Sequence, residues 1–313
     1  MNAMANILVE TAGLSKEDWL RYRNMGIGGS DVAALLGLSK WKTELELWLE
    51  KTGQGDALVQ ENEAMQWGTI MEPVIRNHFS EITGKPVVEV KAILQHPAHP
   101  YMLANIDGLT VDDEGNPAIL EIKTASEYKR SEWEQGVPVY YQTQVQHYLC
   151  VAGIQKAYVA VLIGGNSFYI HEVYADTEVQ QMLIALEGQF WDKVMNQIRP
   201  EMDGSDAAAN LLNTMYQGGI KEQLTLPDEA IVYIDQYIQA SAEEDGAKAR
   251  KQEAANHIKD LMGNHDKAVC GEHKVSWKGV TSERLDTKAL KADEPDLYAK
   301  YVKSSTSRRF TLK

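Results

Sequence analysis

The chain has 313 residues, of which 44% are hydrophobic and 24% charged, and it carries a formal net charge of −14. That length and apolar content predict a folded protein with a sizeable core. Cys150 and Cys270 are too few for a disulfide framework or a cysteine-ligated zinc or iron–sulfur cluster; with no membrane-length apolar run and no basic secretion start in MNAMANILVETAGL, a cytoplasmic location is expected.

In chain order, the first informative segment is RNMGIGGSDVAALLG, which begins at Arg23. GIGG supplies permissive backbone, and DVAALL opens an apolar helical period, so Ser30 or Asp31 fits a helix N-cap. Free N–H groups at such a helix start attract phosphate, although a glycine turn followed by a cap explains the same residues. The run lacks the spacing of a dinucleotide fingerprint or a P-loop. Further on, Thr69 and Glu72 fit a T-x-x-E capping box, with Pro73 comfortable near a helix start.

YMLANIDGLTV, the turn-rich DDEGNP and AILEIKTA read as two strands joined by a tight connection. With the turn centred on Glu114, Asp107 falls opposite Glu121. Alternation then turns Leu120 and Ile122 into the core and puts Asp107, Glu121 and Lys123 together on the polar face. Facing carboxylates repel, and a hard divalent cation with oxygen ligands relieves them, with the Ile122 carbonyl available as a third ligand. Lys123 lies where it can orient or deprotonate an attacking water and offset phosphate charge. A solvent-facing hairpin with Lys123 paired to a carboxylate has the same alternation, and a one-residue slip breaks the pairing.

VYYQTQVQHYLCV has helical spacing at Tyr141, Val145, Tyr148, Leu149 and Ala152, and Gln144 and Tyr148 share a face. AYVAVLIG and FYIHEVYA read as strands about the Gly164-Gly165-Asn166 turn. TEVQQMLIALEGQFWDKVMNQI reads as a helix with its stripe at Met182, Leu183, Leu186, Phe190 and Val194. His147 and His171 read as core or surface histidines, and Trp67 as packing under the polar face. Pro200, Asp203-Gly204-Ser205 and Gly218-Gly219 mark residues 201–226 as a connector between a core at 1–200 and an extension at 227–313. That extension predicts a long helix, apolar at Ile231, Ile234, Ile238, Ile258 and Leu261, whose sparse stripe suits a hairpin arm or a subunit contact. AVCGEHKVSWK and SRRFTLK read as strands with a helical LDTKALKADEPDLYAKYV between them; Lys300, Lys303, Arg308 and Arg309 form a basic tail, either solvated or in contact with DNA or a partner.

Together, RNMGIGGSDVAALLG, WGTIMEPVIR, NIDGL, LEIKT and YYQTQVQHYLCV resemble, in that order, the lambda-exonuclease-like or YqaJ branch of the PD-(D/E)XK nucleases, over about the first two thirds of the chain. Asn105 and Ile106 replace the proline side of that motif and leave the aspartate intact. The resemblance implies an α/β, restriction-endonuclease-like core, a central mixed sheet flanked by helices, with a C-terminal α+β extension. It also implies an exonuclease that uses Mg²⁺ or Mn²⁺, two ions, to digest one strand of double-stranded DNA from its 5′ end for phage-type recombination. On that basis Asp107, Glu121, the Ile122 carbonyl and Glu72 hold metal, Gln144 faces the metal centre, and Lys123 serves the attacking water. Tyr148 buttresses the centre or contacts DNA, Arg23 and Ser30 grip the 5′-phosphate, and Lys129 and Arg130 line the DNA path. The implied partners are DNA ends, a single-strand-annealing recombinase and further copies of the chain in a ring trimer, with no membrane.

The alternatives are a structure-specific or endonucleolytic nuclease of the same superfamily, and a non-catalytic DNA-end-binding scaffold. The acidic charge opposes broad DNA binding, which depends on Lys and Arg. From residue 227 onward acids and bases balance, so the deficit lies upstream, where Arg23, Lys85, Lys91, Lys129 and Arg130 are expected to form local positive patches inside a ring.

Overall fold

The computed structural model describes residues 5–55, 63–216, 218–304 and 308–312. They fall into two compact units, Met1–Gln217 and Gly218–Lys313.

The first unit opens with β1 (Asn6–Glu10), α1 (Lys16–Arg23), β2 (Ile27–Gly28), α2 (Gly29–Leu35), α3 (Glu44–Lys51) and α4 (Glu63–Thr83). It continues through β3 (Ala92–Gln95), β4 (Met102–Ala104), β5 (Gly108–Val111), β6 (Pro117–Ala125), α5 (Arg130–Trp133) and α6 (Val139–Ala152). It closes with β7 (Lys156–Ile163), β8 (Ser167–Tyr174), α7 (Thr177–Met195) and α8 (Asp206–Met215). One sheet has the order β1-β3-β4-β2, and the other β5-β6-β7-β8. In the second sheet β6 pairs antiparallel with β5 and parallel with β7, so it is a central strand of a mixed sheet.

A central strand is covered on both faces, and alternation sorts its residues between them. Ala118, Leu120 and Ile122 pack with Ile75 and Phe79 of α4, whereas Ile119 packs with Val145, Tyr148 and Leu149 of α6. The predicted separation of Leu120 and Ile122 from Glu121 and Lys123 follows from this alternation. Burying Phe79 completely contributes roughly 1.5–3 kcal/mol.

Several local readings change. The segment YMLANIDGLTV is two strands in different sheets, β4 and β5, because the chain leaves the first sheet at Asn105–Asp107 and enters the second at Gly108. Thr69, Glu72 and Pro73 do not start a helix; they lie within α4, and the Thr69 hydroxyl bonds back to the Met65 carbonyl. Proline there deletes one backbone donor, while the Ile75 and Phe79 contacts hold the helix together. Neither Ser30 nor Asp31 caps α2, since the N-cap is Gly28. Trp67 is 55% exposed instead of lying under the sheet. In α7 the buried positions are Leu183, Glu187, Phe190 and Val194, while Met182 is exposed. Of the stretch read as a connector, 206–215 forms α8, whose Leu211 is buried with Phe190 and Val194.

The second unit contains the 33-residue α9 (Ala230–Met262), the hairpin β9 (Lys267–Cys270) and β10 (His273–Ser276), α10 (Thr287–Asp293) and α11 (Pro295–Tyr301). Ile231, Ile238, Ile258 and Leu261 on α9 are exposed, in keeping with a helix that lacks a concentrated apolar face. Within the segment read as a final strand, 308–312 forms none, and its other residues lie outside the described ones. Among the described residues no helix is long and apolar enough to cross a membrane.

Candidate active site

The hairpin register decides which side chains meet. Gly108 pairs with Leu120 and Thr110 with Ala118, which places Asp107, one residue before β5, at the level of Glu121. The turn that fixes this register runs from Asp112 to Asn116. The Asp112 carboxylate accepts from the Glu114 and Asn116 N–H groups, and Gly115 takes φ 86°. Asp107 then turns inward, and its Oδ2 accepts from the Ile122 N–H at 2.7 Å.

Glu121 is 1% exposed. Its Oε1 accepts from Lys123 Nζ at 2.5 Å and from Gln144 Nε2 at 2.8 Å, while Oε2 has no hydrogen-bond partner. Burial lifts the carboxyl's pKa, the Asp107 charge adds to that, and despite Lys123 it stands at about 8. Asp107 is also raised, chiefly by burial, against the opposing Lys123 charge. Burial alone lowers Lys123, but Glu121 and Asp107 outweigh it and hold the amine protonated. The Lys123 ammonium also sits 4.8 Å from the Tyr141 ring centroid.

Two helices complete the shell. From α6, Gln144 Nε2 also donates to the Tyr148 hydroxyl at 3.1 Å, so one amide ties Glu121 to Tyr148. From α4 comes Glu72, whose carboxylate is engaged by Arg76; Arg76 Nε in turn donates to the Asp107 carbonyl at 3.1 Å. Glu72 is raised by partial burial and by the Asp107 charge, with Arg76 opposing.

A second cluster lies across α2. Arg23 Nη2 donates to Ser30 Oγ at 2.7 Å and stands 3.6 Å from Asp31. Sequence reasoning treated Asp31 only as a possible cap, yet it organises this cluster. Lys51 reaches its Oδ2 at 3.0 Å and Lys42 its Oδ1 at 3.7 Å, and the Gly28 N–H donates to Oδ2 as well, at 3.1 Å. Burial pushes Asp31 up, but Lys51, Arg23 and Lys42 outweigh it and hold the carboxyl well below its ordinary range. No local spacing links residues 31, 42 and 51, because they come from separate segments of the chain.

The clusters meet at Gly29. A Cβ there would lie 2.5 Å from Cε1 of Tyr148, so α2 and α6 approach as closely as they do only because residue 29 is glycine. Tyr148 thus touches α2 with its ring and Gln144 with its hydroxyl.

The other predicted DNA contacts are already paired. Lys129 bonds Glu132 at 2.7 Å, and Arg130 bonds Glu127 at 2.5 Å as well as the Tyr169 hydroxyl at 2.9 Å. Lys85 pairs with Asp113 and Lys91 with Glu89. The expected positive patches are therefore largely paired off, whereas at Asp31 three cations face two acids, since Lys42 also pairs with Glu50 at 2.6 Å.

The acidic centre suits a divalent cation. It joins the buried Glu121 carboxylate, one oxygen of which lacks any donor, to the half-buried Asp107 carboxylate, and an all-oxygen donor set matches a hard ion such as Mg²⁺ or Mn²⁺. Among the described residues no three His, Cys, Asp or Glu side chains form a metal cluster of their own. Such an ion would rest on Asp107 and Glu121 with backbone or solvent oxygens, since Glu72 is engaged by Arg76.

Comparison with known proteins agrees with this architecture. Residues 18–155 match the YqaJ-like viral recombinase domain. The chain is 40% identical over 314 residues to the protein YqaJ of Bacillus subtilis (strain 168), covering 99% of this chain and 98% of that one. It is similar in structure to an alkaline exonuclease (LHK-Exo) from Laribacter hongkongensis, with a TM-score of 0.50 and 24% identity over 58% of this chain and 94% of that one. At that identity the likeness shows a shared fold, the α/β restriction-endonuclease-like core expected from the sequence. With identity sustained along nearly its whole length, the chain belongs to the YqaJ family.

Proposed function

We propose that the protein is a divalent-metal-dependent deoxyribonuclease that digests one strand of duplex DNA from a 5′ end. The observation that carries this reading is the meeting of Asp107, Glu121, Lys123 and Gln144 around a buried, under-donated carboxylate. The LHK-Exo likeness supports a nuclease, since that protein is an alkaline exonuclease.

Asp107 and Glu121 would hold the ion, with the Ile122 carbonyl as a further oxygen, while Glu72 stays paired to Arg76 at the edge of the centre. When bound, it supplies Lewis-acid stabilisation of charge building on the phosphate. Lys123 stays protonated beside Glu121 and offers a fixed positive charge to the phosphate and a donor to the attacking water. Gln144 fixes the Glu121 rotamer, and Tyr148 fixes Gln144. Arg23 and Ser30 present a guanidinium and a hydroxyl to a terminal phosphate, which sets the 5′ polarity. Work beside a single-strand-annealing recombinase, as a homo-oligomer, completes this reading by family resemblance.

The test is time-resolved digestion, with Mg²⁺, of linear duplex bearing 5′-phosphate or 5′-hydroxyl, alongside closed circular duplex. Native protein should degrade the 5′-phosphorylated strand fastest. Glu121→Gln and Lys123→Ala should each slow it by about 10²–10⁴-fold. Arg23→Ala should erase the preference for 5′-phosphate. Cutting of the closed circle would instead assign an endonuclease, and DNA-end binding without cutting would assign a scaffold.

A further inference from the structure

Trp41 lies outside both clusters, yet it touches the approaches to each. It is 63% exposed, unusual for the largest apolar side chain. Its loop is fixed, because Ser39 Oγ accepts from the N–H groups of Trp41 and Lys42 at 3.2 and 3.0 Å. The indole meets the Tyr140 ring nearly at right angles, at 5.8 Å and 80°. Such a contact cannot cover both faces, so at least one stays open to stack on.

Its neighbours point both ways. Tyr140 packs on Tyr141 at 4.5 Å, and Tyr141 carries the Lys123 ammonium at 4.8 Å, so Trp41 is two ring contacts from the acidic centre. In the other direction Lys42 reaches into the Asp31 cluster. Beside the indole, Lys40 and Lys129 share a single carboxylate, Glu132, at 3.4 and 2.7 Å, which leaves one positive charge in excess. Glu132 also accepts from the Tyr140 hydroxyl at 2.8 Å, which ties these cations to the ring that supports Trp41.

An open, immobilised aromatic face next to surplus cations is the chemistry that holds a nucleobase and its phosphate without regard to sequence. We propose that Trp41 is a stacking platform for an unpaired base of the strand being cut, on the route between the cation cluster and the acidic centre. This subsite rests on the nuclease reading above. The chain of ring contacts from Trp41 to Lys123 is no longer than about five stacked-base steps of roughly 3.4 Å. The stacked base therefore belongs within the first few nucleotides of the 5′ end.

The experiment is single-turnover digestion, with Mg²⁺, of 5′-phosphorylated duplexes whose first nucleotides are unpaired and carry one abasic site at each position in turn. The readout is the protein concentration giving half-maximal rate. With native full-length protein, one abasic position should raise that concentration roughly 5- to 150-fold, the range for losing one base–aromatic stack. Trp41→Ala should show the raised value on intact DNA and no further abasic penalty, while Trp41→Phe should retain most of the native profile. Far-UV circular dichroism and a thermal melt check that the variants fold. Equal abasic profiles in native and Trp41→Ala protein, or an unchanged half-maximal concentration, would overturn the platform and leave the nuclease intact. If native protein digests none of the DNAs, the nuclease reading fails and the platform with it.

Discussion

Asp31 and Glu121 are both 1% exposed, and for both the largest influence on the carboxyl is burial, which favours the neutral acid. Asp31 nevertheless ends far below its ordinary pKa and Glu121 well above it. The difference lies in the neighbours. Three cations from α1, the loop after α2 and the end of α3 surround Asp31, whereas Glu121 shares one lysine with a second carboxylate. One cluster holds surplus positive charge and suits a phosphate; the other holds surplus negative charge and suits a metal ion. A chain of net charge −14 can handle DNA in this way by concentrating cations at one point.

The comparison breaks first on stability. Asp31→Asn leaves Lys51, whose side chain is fully sequestered, without its counter-charge, and should destabilise the fold by about 3–5 kcal/mol. Glu121→Gln removes a charge that burial and Asp107 already disfavour, so in chelator it should cost less than about 1 kcal/mol or stabilise slightly. Urea unfolding of both variants at pH 7 checks this. Equal losses would mean that the two carboxylates are not opposites.

A metal titration comes next. Mg²⁺ or Mn²⁺ should stabilise native protein by about 2.7 kcal/mol at a hundredfold excess over its dissociation constant, and should leave Glu121→Gln nearly unchanged. The readout is the thermal midpoint with and without chelator. A rise of the same size in both proteins would place the ion elsewhere.

Much of this contrast was legible beforehand on the Glu121 side and little on the Asp31 side. The register of Asp107 and Glu121 followed from one turn and strict alternation, both local properties of a short segment. Gln144 and Tyr148 were visible as a spacing on one helix, but the Gln144 bond to Glu121 required the fold. Lys42 and Lys51 carry no sequence signal for Asp31, since three segments converge on it only after packing. Thr69 and Pro73 misled because the capping pattern describes a helix start equally well when tertiary contacts carry the helix through it. The positive patches misled because pairing with acids is a property of surfaces in contact, not of a list of lysines.

A third buried acid gives an internal control. Glu187 bonds His147 Nδ1 at 2.8 Å, and His147 Nε2 meets the Leu103 carbonyl at 2.8 Å, a pair balanced one to one. Burial lowers the imidazole, but Glu187 outweighs it and raises the pKa above the ordinary 6.5. A raised histidine contributes stability that is complete below about pH 6.5 and is lost as pH climbs through the folded value. The stability difference between native protein and Glu187→Gln should therefore shrink as pH rises above that point, by at most about 1.4 kcal/mol per pH unit. Urea midpoints from pH 6 to 9 measure it, and a flat difference would show the histidine to be neutral throughout.

The smallest expected effect lies at the rim. Lys129 and Arg130 lie a few residues past the end of β6, close in sequence to Lys123, but each is bonded to an acid at the surface. Exposed pairs of this kind are screened by solvent and contribute little to stability, so reversal to glutamate should hardly move the unfolding midpoint. If the strand passes this rim, each reversal should still weaken DNA binding severalfold and lower the salt dependence by about one phosphate contact. Arg23→Glu should do more on both counts, because its guanidinium belongs to the cluster with cations to spare. Salt-titrated binding of a 5′-phosphorylated duplex by the three variants ranks the two regions. Rim variants that match Arg23→Glu would mean that the net positive charge at Asp31 does not govern how the strand is held.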